Sequence, residues 1–274
     1  MTPKLFPLEC RLIVDGPADG AWNMAVDEAL LDAAAEGGGA TLRLYQWAPT
    51  LSLGYFQRYA DRAAHEASVG LPCVRRSSGG GALVHDHELT YSLTLPPRAL
   101  AGLDTRALYC QAHRAVIAAV AELGGDAGRL SLCDPAKEKV AAEPFLCFQR
   151  RADGDLLVEE RPFPSDPRPR AMSATAVRGR YKVCGSAQRK RRGALLQHGG
   201  VLLAQSAAAP ELPGLADLGV LDADAASFAA ALGRNLADLL ALRTEPGELG
   251  PAEIDAARQI AAEKHGAEGW VQRR

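Results

Sequence analysis

After Gly20, apolar side chains recur at Trp22, Val26, Ala29, Leu30 and Ala33, while Asp27, Glu28 and Asp32 fall outside that stripe. This period predicts an amphipathic helix, stopped by Gly37-Gly38-Gly39. Two strand-like runs follow at 41–47 and 51–56, with Pro49 in the turn between them. A short alanine-rich helix ends near Gly70. Residues 71–95 read as strand, glycine loop (77–81), strand, turn (86–89) and strand, the last alternating Tyr91, Leu93 and Leu95 against Thr90, Ser92 and Thr94. A long helix is expected over 105–123, with Leu108, Ala112, Ala115, Val116, Ala119 and Leu123 on one face. Strands resume around 145–148, 155–159, 181–184 and 194–203, and helices close the chain at about 224–242 and 251–265. The proline- and arginine-rich stretch 161–180 has no period and reads as a mobile surface loop. No internal repeat is visible. The order of elements predicts one α+β domain spanning 1–274: a central, mostly antiparallel or mixed β-sheet flanked by helices.

Composition narrows the class of protein without naming a function. Of 274 residues, 47% are hydrophobic and 23% charged, enough to build a sizeable core. Lys plus Arg (31) nearly balances Asp plus Glu (33), so no global charge points to nucleic acid or a membrane surface. Glu9 and Arg11 interrupt the first apolar run before it resembles a signal-peptide core, and no stretch reaches the roughly 18–20 apolar residues of a membrane span. Six cysteines are scattered without a Cys-x-x-Cys pair. Free thiols in a reducing cytoplasm are therefore expected.

Two stretches carry candidate chemistry. In RRSSGGGALVHD (75–86), Gly79, Gly80 and Gly81 let the backbone approach a ligand. Their amides, with Arg75 and Arg76 upstream, can form an anion site, and spacing alone leaves a nucleotide, a phosphopantetheine arm or an acyl chain open as the ligand. His85 and Asp86 stand beside them, and the same loop also reads as a turn that simply needs glycine. His85-Asp86-His87 has no third ligand at suitable spacing, so no metal is expected. In KVCGSAQ (182–188), strand alternation puts Lys182 and Cys184 on one face and Tyr181 and Val183 on the other. An inward lysine is costly unless it serves a ligand, whereas an edge-strand lysine is commonplace. The turn Arg189-Lys190-Arg191-Arg192 reads as a solvated hairpin tip or as a dock for an acidic protein.

Four motifs in this order resemble the lipoate-protein ligase and octanoyltransferase family, the biotin/lipoyl attachment family. They are NMAVDEALL (23–31), PTLSLGYFQ (49–57), RRSSGGGALVHD with Tyr91-Ser92, and KVCGSAQ followed by GALLQHG (193–199). The closing WVQRR (270–274) extends the likeness over nearly the whole chain. The resemblance implies the catalytic-domain fold of the biotin and lipoate ligases. Members that use a carrier thioester, the LipM-like octanoyltransferases, carry a cysteine between the central helix and the lysine motif, and they lack a C-terminal accessory domain. Cys147, in PFLCF (144–148), matches that cysteine, although more residues than expected separate it from Lys182.

The resemblance implies a ping-pong octanoyltransferase without a cofactor. Cys147 takes octanoyl from acyl carrier protein and passes it to a lysine of a lipoyl-domain protein, for instance a glycine-cleavage H protein. Lys182 supplies a cation and shuttles protons, while Gly185, Ser186, Gln188 and His198 join the glycine loop as substrate-binding groups. Cys184 is the rival nucleophile. The alternatives are a short-form, ATP-dependent lipoate ligase, an amidotransferase between lipoyl proteins, and a non-catalytic paralogue that binds lipoyl domains. Neither nucleic acid nor a membrane is an expected partner.

Overall fold

The alternation along residues 90–95 reports a strand with two different neighbours, helices on one face and a polar layer on the other. The computed structural model describes residues 8–134, 144–160 and 179–274. The expected 161–180 loop falls, apart from its last two residues, outside the described residues.

In chain order the strands are β1 (Leu8–Ala18), β2 (Ala40–Trp47), β3 (Thr50–Leu53), β4 (Cys73–Arg75), β5 (Leu83–His85), β6 (Glu88–Leu95), β7 (Leu130–Leu132), β8 (Leu156–Glu159), β9 (Arg180–Arg191), β10 (Ala194–Leu202) and β11 (Leu242–Pro246). The helices are α1 (Gly20–Ala35), α2 (Thr105–Glu122), α3 (Ala225–Leu239), α4 (Pro251–Ile260) and α5 (Glu268–Val271). Eight strands form one sheet in the order β11-β1-β2-β6-β10-β9-β8-β7, and β4-β3-β5 form a second, smaller one. β11 and β2 both run parallel to β1, while the remaining pairs of the large sheet are antiparallel. The mixed sheet flanked by helices is the fold expected from the sequence.

On one face of the large sheet, Tyr91, Leu93 and Leu95 pack with Leu108, Ala112 and Val116 of α2 and with Phe228, Leu232 and Leu236 of α3. Each buried side chain of this size contributes roughly 1.5–3 kcal/mol of apolar burial. The opposite face carries α1, whose N-terminus is capped by Asp19 accepting the Trp22 N–H at 2.9 Å. α1 is itself covered by α4, through Ala25, Val26, Ala29 and Ala257. Because α1 is enclosed on two sides, Asp27 and Glu28, which fall off the apolar stripe, are buried as well. Asp27 accepts from Arg43, Tyr45 and Ser92, so the cost of burial is met by hydrogen bonds.

Several expected elements differ. The strand expected over 51–56 stops at Leu53, where Gly54 runs hard against the Gly80 carbonyl and leaves no room for a Cβ. The alanine-rich helix is two 3-10 turns, Tyr59–Ala64 and Glu66–Ser68. The strand expected at 145–148 is a 3-10 turn, Cys147–Gln149, attached to the small sheet only by a bridge between Leu146 and Ala82. The helix expected over 224–242 ends at Leu239 and gives way to β11, while α4 continues into a π-helical turn, Ala261–His265. β1 and β7 were not anticipated. Among the described residues, no helix is long and apolar enough to cross a membrane.

Candidate active site

The chain leaves the small sheet at Arg75 and re-enters it at Leu83, and the loop between them closes one end of the site. Gly80 has φ +94°, a backbone conformation that disfavours any side chain. A Cβ on Gly80 would lie 3.6 Å from the Cys147 Sγ and 3.7 Å from Nη2 of Arg76. Loop, thiol and guanidinium therefore meet at one point. Gly81 has a different reason to be glycine, since its Cβ would press to 2.9 Å from the Cys147 nitrogen and the Phe145 oxygen. That close approach lets the Cys147 N–H donate to the Ala82 carbonyl at 2.7 Å while Ala82 N–H donates to Phe145 at 2.9 Å. The cysteine is thus fixed at the first residue of its turn, and it is partly exposed, in contrast to the buried Cys10, Cys133 and Cys184.

The two arginines have distinct tasks. Arg76 is buried, and its Nη1 donates to Ser52 O at 2.9 Å and Oγ at 2.7 Å, while Nη2 donates to Gly81 O at 2.6 Å and Gly79 O at 3.3 Å. It braces the glycine loop from behind, with no carboxylate of the described residues in ion-pair reach. Burial lowers its pKa, opposed by the nearby Cys147 and Glu88. Arg75 is directed the other way. Its Nε and Nη2 donate to Val271 O at 2.9 and 2.7 Å, and Nη1 reaches Gly54 O at 2.9 Å and Gln57 O at 2.7 Å. It ties the C-terminal segment to the 54–57 turn, and every nitrogen of its guanidinium serves a backbone carbonyl.

On β9, a bulge opposite Leu156 and Leu157 breaks the expected alternation. Val183 and Cys184 both enter the main core. Lys182 instead lies over Gly185, where a Cβ would come within 2.6 Å of its Nζ. The ammonium is 2.8 Å from Oδ2 of Asp155 and 5.6 Å from the ring centroid of Phe148, the residue after Cys147. The expectation that Lys182 and Cys184 share a face is corrected by this bulge.

The other expected residues divide by face. His198 is on the α1 side, with Nε2 3.3 Å from Ser78 Oγ of the glycine loop and Nδ1 3.8 Å from Asp27. Burial lowers its pKa to about 4, against the pull of Asp27. Ser186 faces α2, where its Oγ meets Tyr91 OH at 2.7 Å and His113 Nε2 at 2.8 Å. Gln188 also holds α2, donating to Thr105 O at 2.6 Å and to Gln197 at 2.7 Å. His85 lies beneath the site, between Ser52 Oγ at 2.7 Å and Glu88 at 2.5 Å, stacked on Trp47. Asp86 is on the outer turn, accepting from Ser206. The structure therefore brings Gly79–Gly81, Arg76, Cys147, Lys182, Gly185 and His198 to one side of the sheet. Arg75, His85, Asp86, Ser186 and Gln188 serve as supports around them.

Two carboxylates beyond the expected residues, Asp155 and Glu28, also belong to the site. Glu28 collects Lys264 at 2.6 Å, Arg191 at 2.8 Å and His265 at 3.1 Å beside Ser77. Burial pushes its pKa up, but the His265 and Lys264 hydrogen bonds win and hold it far below the usual carboxylate range. Asp155 leaves no mark in the residue pattern, whereas Glu28 stands in the NMAVDEALL motif off the apolar stripe; the partners of both lie far away in the chain. Among the described residues no group of three or more His, Cys, Asp or Glu side chains is placed to hold a metal ion.

Residues 19–210 match the model of the lipoyl protein ligase A/B catalytic domain. The octanoyltransferase LipM of Kyrpidia tusciae is 32% identical over an alignment of 292 positions, covering 96% of this chain and 98% of that protein. The octanoyltransferase LipM of Symbiobacterium thermophilum is also 32% identical, with the same coverage of 96% and 98%. Among solved structures, lipoate-protein ligase A bound with ATP superposes with a TM-score of 0.71 at 20% identity, covering 97% of this chain and 99% of that one. The bi-partite lipoate protein ligase of Thermoplasma acidophilum gives 0.68 at 19% identity, covering 97% and 96%. At such identity these two structures speak for the fold alone. By its match to the family model and to these relatives, the chain belongs to the lipoyl protein ligase A/B catalytic-domain family.

Proposed function

We propose that this chain is an octanoyltransferase in which Cys147 takes the acyl group from an acyl-carrier-protein thioester and hands it to a lysine amine of a lipoyl-domain protein. The observation that carries this reading is the meeting of the partly exposed Cys147 thiol with Gly80 and the buried Arg76. The names of the two LipM relatives support octanoyl transfer.

The chemistry follows from the groups present. The Cys147 thiolate attacks the thioester carbonyl, and the carbonyl electrons move to oxygen beside Gly80. Arg76, buried and with no carboxylate of the described residues in ion-pair reach, favours negative charge at that point. The intermediate collapses, the octanoyl carbon stays on Cys147 and the carrier thiolate departs, taking a proton from the Lys182 ammonium. The acceptor lysine, entering as a neutral amine, attacks the acyl-enzyme and expels the Cys147 thiolate. The amine gives one proton to Lys182, which restores the ammonium. One thioester is consumed and one amide formed, so the cycle needs neither ATP nor a resident cofactor.

The test is transfer from octanoyl-acyl carrier protein to the glycine-cleavage H protein without ATP. Octanoylation under those conditions is the expected result. Modification only with free octanoate and ATP would replace this reading with the ligase.

A further inference from the structure

We infer that Asp155, held in turn by Tyr109 of α2, is the positioning residue that aims the Lys182 ammonium at the reacting sulfur. This inference rests on the reading above. Asp155 is 1% exposed and Lys182 6%, so the pair is a buried one with a 2.8 Å contact. Taking a lone ammonium out of water is costly, and a buried counter-ion must return that cost. A lysine in this place without Asp155 would either lose its charge or swing to solvent.

The carboxylate is itself locked. Oδ1 accepts the Tyr109 hydroxyl at 2.8 Å, and Oδ2 accepts the Ala152 N–H at 2.7 Å as well as the ammonium. Tyr109 OH in turn accepts the Ser186 N–H at 3.2 Å. The aim of Lys182 is therefore set from helix α2, on the far side of the sheet from the glycine loop. Gly185 completes the arrangement, because a Cβ there would lie 3.3 Å from Asp155 Oδ1 and closer still to the lysine.

The surrounding titratable groups leave Asp155 as the counter-charge. From α2, burial raises the Tyr109 phenol, with Asp155 adding to it, and lowers His113 to about 4. From β9, burial raises the Cys184 thiol. All three are neutral at pH 7. On the opposite side the ammonium lies 5.6 Å from the ring centroid of Phe148, the residue after Cys147, whose sulfur meets Arg76 at Gly80.

The experiment compares Asp155→Asn and Tyr109→Phe with Lys182→Met in steady-state octanoyl transfer over pH 6–10, with thermal melts alongside. Asp155→Asn is expected to lower kcat by about 100-fold, the scale of a misplaced reacting group. KM for carrier and acceptor should stay within about twofold. The alkaline limb of its kcat profile should move to lower pH, because an ammonium without its carboxylate gives up its proton sooner. Tyr109→Phe should shift the same limb in the same direction with a smaller loss, roughly tenfold, and it keeps the test decisive if Asp155→Asn fails to fold. Wild-type kcat in both variants, or a lower kcat with an unmoved pH profile, would overturn the inference. Full activity in Lys182→Met would instead remove the reading on which it rests.

Discussion

The side chains of Cys147 and Cys184 lie on opposite sides of the eight-stranded sheet. Cys147 meets Gly80 and Arg76 on the α1 side. Cys184 pairs with Val201, whose neighbours are the α2 and α3 core, and it is fully buried there. Burial raises its thiol well above the ordinary range, and no approach from the glycine loop reaches it. Cys184→Ala is therefore expected to cost on the order of 1 kcal/mol in urea unfolding and to leave octanoyl transfer within about twofold of wild type. A variant that folds but has lost transfer would return Cys184 to the list of nucleophiles.

Gly185 offers a finer probe than removal of a charged group. Adding one methyl at this position puts a carbon 2.6 Å from Lys182 Nζ, and the flexible lysine rather than the backbone must yield. Gly185→Ala should keep a near-native melting temperature while kcat drops roughly 100-fold. Equal losses of stability and activity would mean that the sheet, not the lysine, had moved.

Arg75 separates support from substrate binding. Its guanidinium joins Val271 O to the 54–57 turn, and its own carbonyl accepts the Trp270 indole N–H at 2.9 Å. Arg75→Met leaves those buried carbonyls unpaired and should cost about 3 kcal/mol, measured by urea unfolding. Limited proteolysis near the C-terminus should accelerate in parallel. An unchanged stability with a raised KM would instead assign Arg75 to the substrate.

Stability should depend on pH through two histidines. His113 and His198 are both lowered by burial from the ordinary 6.5 to about 4. The unfolded chain binds protons first on the way down, so their contribution is complete above pH 6.5 and is lost as pH falls towards 4. Between pH 7 and 5 the loss is on the order of 2 kcal/mol per histidine. Unfolding free energies measured across that range should fall, and His113→Gln should remove about half of the slope. A slope unchanged in that variant would show that other groups carry it.

The parts of this molecule that were readable from sequence are those set by local period. β6 was legible because one face packs on α2 and α3 while Thr90 and Ser92 face the polar layer, which imposes strict alternation. α1 and α2 were legible for the same reason at helical spacing. PFLCF was misread because a short apolar run is the same for a strand and for a buried turn, and the backbone at Cys147 is set by contacts with Ala82. β11, largely exposed at the sheet edge, carries no apolar pattern to find. The bulge at Val183 reversed the expected partner of Lys182, and a bulge leaves little mark in composition. Asp155 was invisible because its significance is its distance to Lys182, 27 residues further along the chain.

The most direct test of the covalent mechanism is the intact mass of the protein after mixing with octanoyl-acyl carrier protein, without ATP, for wild type and Cys147→Ala. The covalent mechanism requires one octanoyl adduct on wild type, mapped by peptide analysis to Cys147, and none on the variant. An adduct that persists in Cys147→Ala, or transfer to the H protein at wild-type rate by that variant, would contradict it.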